Sequence, residues 1–375
     1  MFEGLREYAQ TENEIKTIEA VIKGGTSYAA AEILGKDSGN VRKVVRRLRS
    51  RAEQAKSVED LNDTSTLYDA DGNQVLQWVK KKVDKEKQFL LIKKAVEALC
   101  DDIDPVGPIP KPKRCFKTLL TLYPFGDPHI GVQTYFSETG EDFDLEKAER
   151  LFTSAMDRAV SNAPSSKEAL IVNVGDYFHS DNAQNQTRKS KNPLDTSGSF
   201  SDRLQVGMRI MRNIIDRALQ KHEKVTVINT IGNHDEHLSI ALSAMLNAFY
   251  KNEKRLSVPV IERYYQYYQF GQCLFGVTHG DQCKPQDLES IMASDMAKEW
   301  GESRHRYWLT GHIHHDVIKE FRGCKFESFR TLAPKDAWHT AAGYRSDRDL
   351  KTIVYHKDHG EVERYTINIT QFEGA

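Results

Sequence analysis

The spacing of hydrophobic residues changes near residue 115. Before residue 57, two segments have apolar residues at helical spacing. The first face consists of Ile15, Ile18 and Ile22, and the second consists of Val41, Val44, Val45 and Leu48. From residue 116 onward, short apolar runs alternate with amphipathic segments, which is typical of strands alternating with helices. The pattern therefore predicts a small helical region followed by a larger α/β region.

Residues 1–60 are predicted to form a helix-turn-helix domain. A first helix ends at Gly24 and Gly25, Ser27 begins a short second helix, and Ser38 or Asn40 begins a third. Residues 42–56 hold seven basic side chains and one acid, Glu53, so the third helix carries a basic face that could enter a nucleic-acid groove. The candidate DNA-binding residues are Asn40, Arg42, Lys43, Arg46, Arg47 and Arg49. The alternative is a small helical cap whose basic face is simply solvated.

Residues 61–114 are predicted to connect this domain to the α/β region. A β-hairpin turns at Asp71–Asn73, a charged and helical stretch covers 83–100, and the segment "DDIDPVGPIPKPKR" holds four prolines without periodicity. The remaining residues, 115–375, form the larger α/β domain. Among its predicted helices are one that is capped by Asp144 and runs to about residue 160 and a single helix over 285–299.

Composition narrows the cellular setting. No apolar run approaches the ~18 residues that cross a bilayer, and the N-terminus "MFEGLREYAQ" has no secretory pattern, so no membrane association is expected. The five scattered cysteines include no C-x-x-C pair, which favours reduced thiols in a cytoplasm. With a net charge of −1, any affinity for nucleic acid must come from local patches.

Polar residues follow five predicted strands at the points where those strands end. The five junctions read "GDPHIG", "GDYFHSDN", "GNHD", "THGD" and "TGHIHH", and Gly precedes the key residue in four of them. Sites in α/β sheets form beyond the carboxyl ends of strands. The side chains gathered there would be Asp127, His129, Asp176, His179, Asn233, His234, Asp235, His279, His312 and His314.

This mixture of imidazole, carboxylate and amide oxygen indicates a metal site. The number of N and O ligands exceeds the need of one tetrahedral ion and suits two ions about 3.5–4 Å apart, with one bridging carboxylate. Such a pair would clamp a phosphoryl group, and a bridging hydroxide would attack phosphorus in line. A lone histidine at a strand end is usually a surface residue, but five such junctions are hard to explain by packing.

With these motifs in the order D-x-H, G-D, G-N-H-D, H-G and G-H-x-H, residues 119–330 resemble the calcineurin-like metallophosphoesterase superfamily. The resemblance implies an α/β fold: a two-layered β-sandwich flanked by helices, with a dinuclear metal site. It also makes manganese the first expectation for the two divalent ions, with iron, zinc or magnesium compatible. It implies that one metal would be held by Asp127, His129 and His314, the other by Asn233, His279 and His312, with Asp176 as the bridge. His234 would stabilise the phosphate or protonate the leaving oxygen, and Asp235 would orient His234.

Within that superfamily, "GDYFH" is similar to the second motif of SbcD-type DNA repair nucleases, which makes His179 a further catalytic candidate. The arrangement also resembles phosphoesterases of phages and prophages, in which case the compartment would be the host cytoplasm. The chain departs from the nucleases in its short C-terminal part and its added N-terminal domain, and the basic helix could replace their DNA-gripping domain. The partner ATPase of such nucleases is not encoded here, because no G-x-x-x-x-G-K-[ST] motif occurs. A homodimer is compatible with the resemblance, and other partner proteins cannot be deduced.

The predicted function is hydrolysis of DNA phosphodiester bonds, as an exonuclease or an endonuclease. Two alternatives stay open: a phosphomonoesterase or small-molecule phosphodiesterase of the same superfamily, and a catalytically silent DNA-binding adaptor.

Two further features bear on substrate binding. The long polar loop 177–199 is either a substrate-contacting loop or a disordered excursion. Trp338, close to His339, is favoured as a core tryptophan, with base stacking as the alternative.

Overall fold

A computed structural model describes residues 3–9, 11–56, 64–68, 74–79, 107–182, 184–187 and 191–372. The chain divides into two compact units, Met1–Asp104 and Pro105–Ala375, and each is described by itself. The predicted helix within 83–100, the hairpin turn at 71–73 and part of the linker lie outside the described residues.

The first unit contains a small helical core. A 3-10 helix at Glu3–Tyr8 precedes α1 (Glu12–Gly24), α2 (Ser27–Leu34) and α3 (Ser38–Lys56). The α3 residues Val41, Val44, Val45 and Leu48 are buried, as their spacing predicts, and they pack with Ile18 and Val21 of α1. Ile15, expected on the same face of α1, is 37% exposed. The apolar stripe of α1 therefore runs through Ile18 and Val21 rather than through Ile15.

The capping residues of α2 and α3 lie before the expected positions. Thr26, not Ser27, accepts the capping hydrogen bond of α2, from the backbone N–H of Ala29 at 3.1 Å. Asp37, not Ser38 or Asn40, accepts from Gly39 N at 2.8 Å at the start of α3. A carboxylate or hydroxyl in an extended residue reaches the first free N–H groups best from just outside the helix.

The two strands of the expected β-hairpin are paired in the segment after α3. Strands β1 (Thr64–Tyr68) and β2 (Gln74–Val79) pair antiparallel, with a register irregularity between Leu67 and Tyr68. The fold of the first unit therefore combines a helical core with a two-stranded sheet.

The second unit is built on two sheets. The first has the strand order β13-β12-β3-β4-β5-β6, in which β3 (Phe116–Phe125), β4 (Ser166–Asn173), β5 (Lys224–Asn229) and β6 (Leu256–Ser257) are parallel. Strands β12 (Asp349–His356) and β13 (Gly360–Asn368) add an antiparallel edge. Parallel strands demand crossover helices, which the alternating sequence supplies.

The second sheet has the order β10-β11-β9-β8-β7. Its strands are β7 (Gln266–Phe270), β8 (Cys273–Val277), β9 (His305–Thr310), β10 (Val317–Phe321) and β11 (Cys324–Ser328). Apolar residues of both sheets form one buried cluster, in which Leu122 and Val172 of the first sheet meet Phe275 and Leu309 of the second. The two sheets are therefore stacked layers around a shared core, and the mixed α/β sandwich predicted from the sequence is confirmed for this unit.

Helices connect and cover these sheets. They are α4 (Phe136–Thr139), α5 (Leu145–Asn162), α6 (Phe200–Lys221), α7 (Glu236–Phe249), α8 (Leu288–Asp295), α9 (Ala297–Glu302) and α10 (Ala337–Ala341), with 3-10 turns at Pro285–Asp287 and Ile369–Gln371. Asp144 caps α5 by accepting from Lys147 N at 2.9 Å, as predicted. The single helix expected over 285–299 is instead three pieces, with a break at Met296. Among the described helices, none combines the length and apolarity required to cross a bilayer.

Candidate metal centre

Five strand ends deliver the predicted site residues to one end of the sandwich. β3, β4 and β5 are parallel neighbours in the first sheet, and β8 and β9 are parallel neighbours in the second. Their carboxyl ends are followed by Asp127, Asp176, Asn233, His279 and His312, in that order. Parallel strands end at the same edge of a sheet, so the topology itself collects these polar side chains.

Backbone strain is concentrated at this edge. Eight non-glycine residues of the described chain have positive φ, and five of them are predicted metal ligands: Asp127 (41°), His129 (45°), Asp176 (52°), His312 (69°) and His314 (52°). Left-handed backbone costs a residue with a Cβ roughly 1–2 kcal/mol. Such strain persists where surrounding structure enforces it, and it clusters at functional sites.

Two glycines make the close approach of the loops possible. A Cβ built on Gly232 would overlap the backbone N and the carboxylate of Asp176. Gly175 has φ +102°, and a Cβ there would lie 2.6 Å from His279 Nδ1. Side chains at these two positions would push apart the strand ends that carry Asp176, His279 and Asn233.

The first group of donors consists of Asp127, His129 and His314. The Nε2 atoms of His129 and His314 are 3.3 Å apart, and His314 Nε2 is 3.8 Å from Asp127 Oδ1. Their donor atoms lie within 4.8 Å of one another. The carboxylate of Asp127 is held by the backbone N–H of His312, which donates to both of its oxygens at 3.0 Å. The structure brings together the three residues predicted for one metal.

The second group is centred on Asp176 and His279. His279 Nδ1 lies 3.0 Å from the carbonyl of Val174, which it can reach as a donor, so Nε2 faces the cluster. That Nε2 is 2.9 Å from Asn233 Oδ1 and 3.2 Å from Asp176 Oδ2. Asp176 Oδ2 is also 4.0 Å from His129 Nε2, so this carboxylate lies between the two donor groups, as expected of a bridge.

His312 is less closely joined to the cluster than the other predicted ligands. Its ring centroid is 5.0 Å from that of His279, but its ring nitrogens do not belong to the described groups whose donor atoms lie within 4.8 Å. Its backbone N–H contributes directly, by holding Asp127.

The catalytic candidates His179 and His234 stand beside His129. The ring nitrogens of all three lie within 4.8 Å, and the rings of His179 and His234 stack with centroids 5.5 Å apart. His234 Nδ1 is 2.8 Å from the carbonyl of His179, which leaves Nε2 on the other side of the ring for a substrate oxygen. His179 is 2% exposed, so it is a buried residue of the site and not a surface residue.

Asp235 has a different role from the expected one. Its carboxylate accepts hydrogen bonds from the backbone N–H groups of Asp176 and Phe178, both at 3.1 Å. The carbonyl of His179 therefore orients His234, and Asp235 fixes the turn that carries Asp176. This correction could not be read from the adjacency of residues 234 and 235.

Burial and charge together set the protonation of the cluster. Burial raises the pKa of Asp127 to about 7. Burial also opposes ionisation of Asp176 and His279, yet their mutual attraction holds the pKa of Asp176 well below its usual range and raises that of His279 to about 10. Burial and neighbouring imidazoles lower the pKa of His179 and of His314 to about 3. His179 and His314 are therefore neutral, which is the form in which an imidazole binds a cation, whereas His279 carries a proton that a bound cation would displace.

The chemistry of this donor set fits divalent metal ions. The carboxylates of Asp127 and Asp176 are buried, at 0% and 2% exposed, among the imidazoles of the site. In His279 and His234, Nδ1 lies within hydrogen-bond distance of a backbone carbonyl, which leaves Nε2 directed away from that carbonyl. Backbone carbonyls that fix the ring tautomer are the usual outer support of histidine ligands. Manganese, iron and zinc all accept this combination of nitrogen and oxygen donors, so the donor set is compatible with each of the three metals.

A further pair of residues, Asp336 and His339, adjoins the site. Asp336 Oδ1 lies 2.7 Å from His339 Nδ1, and the ring of His339 stacks on that of His314 with centroids 4.6 Å apart. The D-x-x-H spacing at the start of a short helix was the available signal. The preferred interpretation of Trp338 as a core residue is wrong, because its side chain is 58% exposed.

The predicted DNA-binding residues lie in the first unit. Asn40 and Lys43 are exposed and Arg42 is half-buried, while the side chains of Arg46 and Arg49 lie outside the described residues. Arg47 Nη1 is 3.2 Å from the buried carboxylate of Glu14, so this guanidinium also ties α3 to α1.

Loop 177–199 is held by local hydrogen bonds in its described parts. Asn182 Nδ2 donates to the Gln186 carbonyl at 2.7 Å, and Gln186 pairs with Pro193. Arg188 and Lys189 lie outside the described residues.

Comparison with known proteins gives structural similarity only. No family model matches the chain, and no curated protein matches it. The solved structures similar to it include a predicted phosphoesterase from Streptococcus pneumoniae TIGR4, with 12% identity and a TM-score of 0.29, over 67% of this chain and 99% of that one. Vacuolar protein sorting 29 from Cryptosporidium parvum has 14% identity and a TM-score of 0.34, over 67% and 100%. NAD nucleotidase from Haemophilus influenzae has 9% identity and a TM-score of 0.34, over 68% and 51%. At such low values no functional inference rests on these similarities; it rests on the geometry of the site.

Proposed function

We propose that this chain is a phosphodiesterase that uses two divalent metal ions to hydrolyse DNA. The observation that carries the proposal is the meeting of two buried carboxylates, Asp127 and Asp176, with the imidazoles of five strand-end loops at one end of the sandwich. When bound, two divalent ions would polarise the phosphoryl oxygens and lower the pKa of the attacking water.

The chain's own residues have distinct tasks in this proposal. Asp127, His129 and His314 would hold one ion; Asn233, His279 and His312 would hold the other; and Asp176 would contact both. His234 would present Nε2 to the substrate, either to protonate the leaving oxygen or to bind a phosphoryl oxygen, because Nδ1 is engaged with the His179 carbonyl. His179, stacked on His234, would contact the same phosphodiester.

Two features favour DNA over a small phosphoester. The buried His179, stacked on His234, would offer a second imidazole to a phosphodiester, and the first unit carries a helix rich in Arg and Lys. A phosphomonoesterase or small-molecule phosphodiesterase uses the same donors and remains the second candidate. A silent DNA-binding adaptor would have no need of strained backbone at five donor positions.

The test is a comparison of substrates on the full chain. The protein is incubated with Mn²⁺ or with EDTA, and with linear DNA, circular DNA, p-nitrophenyl phosphate and bis(p-nitrophenyl) phosphate. We expect metal-dependent cleavage of DNA and of the bis ester. Turnover of the monoester with DNA left intact would replace the proposal with the second candidate. DNA binding without cleavage of any ester, under each metal tried, would favour the adaptor.

We also propose that α3 of the first unit binds the DNA backbone. Changing Arg42 and Lys43 to Glu should weaken DNA binding about 10-fold or more and flatten its dependence on salt, because two phosphate contacts become repulsive. Gel-shift titrations at several salt concentrations measure both effects. Lys23→Glu, on the last turn of α1, is the matched control for a change of charge in the same unit. Unchanged binding in the double variant would make residues 1–60 a protein-interaction cap.

A further inference from the structure

An exposed tryptophan stands at the edge of the candidate metal centre. Trp338 lies on α10 and its side chain is 58% exposed, whereas Trp308, in the core of the second unit, is 1% exposed. An indole in water forgoes a large gain from apolar burial. A tryptophan exposed beside the candidate metal centre can gain part of that burial by stacking on a planar partner.

The position of Trp338 is fixed relative to His314. Asp336 caps α10 by accepting from His339 N at 2.8 Å and also lies 2.7 Å from His339 Nδ1. The His339 ring then stacks on His314, at an interplanar angle of 18°, and contacts the Trp338 ring with centroids 5.0 Å apart. Two successive ring contacts thus join the indole to a predicted metal ligand.

Tyr344 supports the indole from a second side. Its ring centroid is 5.8 Å from that of Trp338 and 5.1 Å from that of His339. Its backbone N–H donates to the His339 carbonyl at 3.0 Å, which ties the segment after α10 back onto the helix. The indole of Trp338 therefore contacts two aromatic rings, those of His339 and Tyr344.

A cavity of about 430 Å³ opens beside these rings, and His314, His339 and Tyr344 form part of its wall. Its charged lining comprises Glu141, Lys335, Arg345, Asp347 and Arg348. Glu141 is engaged by Arg348 at 3.0 Å. The two remaining cations of the lining, Lys335 and Arg345, outnumber its one remaining carboxylate, Asp347, which also pairs with Arg330 at 3.9 Å. The cavity offers space and a small positive surplus next to the reacting centre, which suits a sugar and its phosphate.

We propose that Trp338 is a stacking platform for the base of the nucleotide that flanks the scissile phosphate, with the sugar and phosphate of that nucleotide in the adjoining cavity. This inference rests on the proposed phosphodiesterase function and adds to it that the substrate is recognised through a nucleobase. Stacking on an aromatic side chain accepts any base, because every base has a π face. The contact would therefore strengthen substrate binding without imposing a sequence.

The experiment compares two single strands of equal length on the full chain with Mn²⁺. One is oligothymidylate, and the other is the same backbone with abasic residues. Trp338→Ala should raise KM for oligothymidylate roughly 10-fold and leave KM for the abasic strand unchanged, as loss of one base–aromatic stack predicts. Trp338→Phe should recover most of the loss. Phe116→Ala, which removes an aromatic of similar exposure (61%) at the start of β3, should change neither KM.

A second readout does not depend on turnover. The tryptophan fluorescence of Trp338 is the difference in emission between the wild type and Trp338→Phe. Oligothymidylate should quench this emission, and the abasic strand should leave it unchanged. Equal KM values for wild type and Trp338→Ala on oligothymidylate, or an equal rise on both strands, would overturn the stacking role while the phosphodiesterase proposal stands. If the wild type cuts neither strand, the quenching measurement alone decides, and absence of quenching would reject the platform. The phosphodiesterase proposal fails only if linear DNA, circular DNA and bis(p-nitrophenyl) phosphate also stay intact with Mn²⁺.

Discussion

Replacing Asp176 by Asn is expected to lower hydrolysis of bis(p-nitrophenyl) phosphate and of DNA at least about 1000-fold. The carboxylate lies between the two donor groups, 3.2 Å from His279 Nε2 and 4.0 Å from His129 Nε2. An amide keeps the shape and can still accept from His234 N, which Asp176 Oδ1 now does at 2.8 Å. It removes the charge that two cations would share.

The measurement is steady-state turnover together with metal content of the purified protein. Asp216→Asn is the matched control, because Asp216 also accepts a side-chain hydrogen bond, from Tyr250 at 2.5 Å, but lies on α6 outside the donor groups. Circular dichroism checks that both variants are folded. Full activity in Asp176→Asn would remove the bridging carboxylate, and with it the dinuclear proposal.

His234→Gln is expected to lower turnover of DNA by about 100- to 10,000-fold, the range for loss of a general acid or base. Metal content should stay unchanged, because His234 is not among the predicted ligands. The p-nitrophenyl ester should lose much less, since p-nitrophenolate leaves without needing a proton. The His234 ring is oriented for this task by the carbonyl of His179, 2.8 Å from Nδ1.

Two substrates separate the two roles that His234 could have. A large loss on DNA with a small loss on the p-nitrophenyl ester identifies proton donation to the leaving oxygen. Equal losses on both identify binding of the phosphoryl oxygens. His237→Gln, a second imidazole nearby on α7, is the matched control and should behave as wild type. Wild-type kinetics in His234→Gln would exclude both roles.

The strand-end residues could be predicted from the sequence because their signal is local. Each apolar run that becomes β3, β4 or β5 stops at a polar residue after glycine, and parallel pairing then places the stops at one edge. The signal for the cap of α5 is equally local, because Asp144 lies only three residues before Lys147, from whose backbone N–H it accepts a hydrogen bond.

Features that depend on distant contacts could not be predicted. Asp235 follows His234 in sequence, but its carboxylate reaches backbone groups 57 and 59 residues away. The break at Met296 has no glycine or proline to announce it, and the neighbouring Asp295 accepts from Tyr267, 28 residues away. The preference for Trp338 as a core residue is wrong, because the capped helix α10 leaves its side chain 58% exposed.

The left-handed backbone at Asp127, His129, Asp176, His312 and His314 has a consequence for evolution in the laboratory. Glycine adopts that conformation without steric cost. At each of these positions a substitution by glycine would therefore relieve backbone strain and remove a predicted metal ligand. A selection for heat resistance alone would therefore drift toward inactive proteins at these five codons. Only a selection that also demands turnover would keep the strained residues in place.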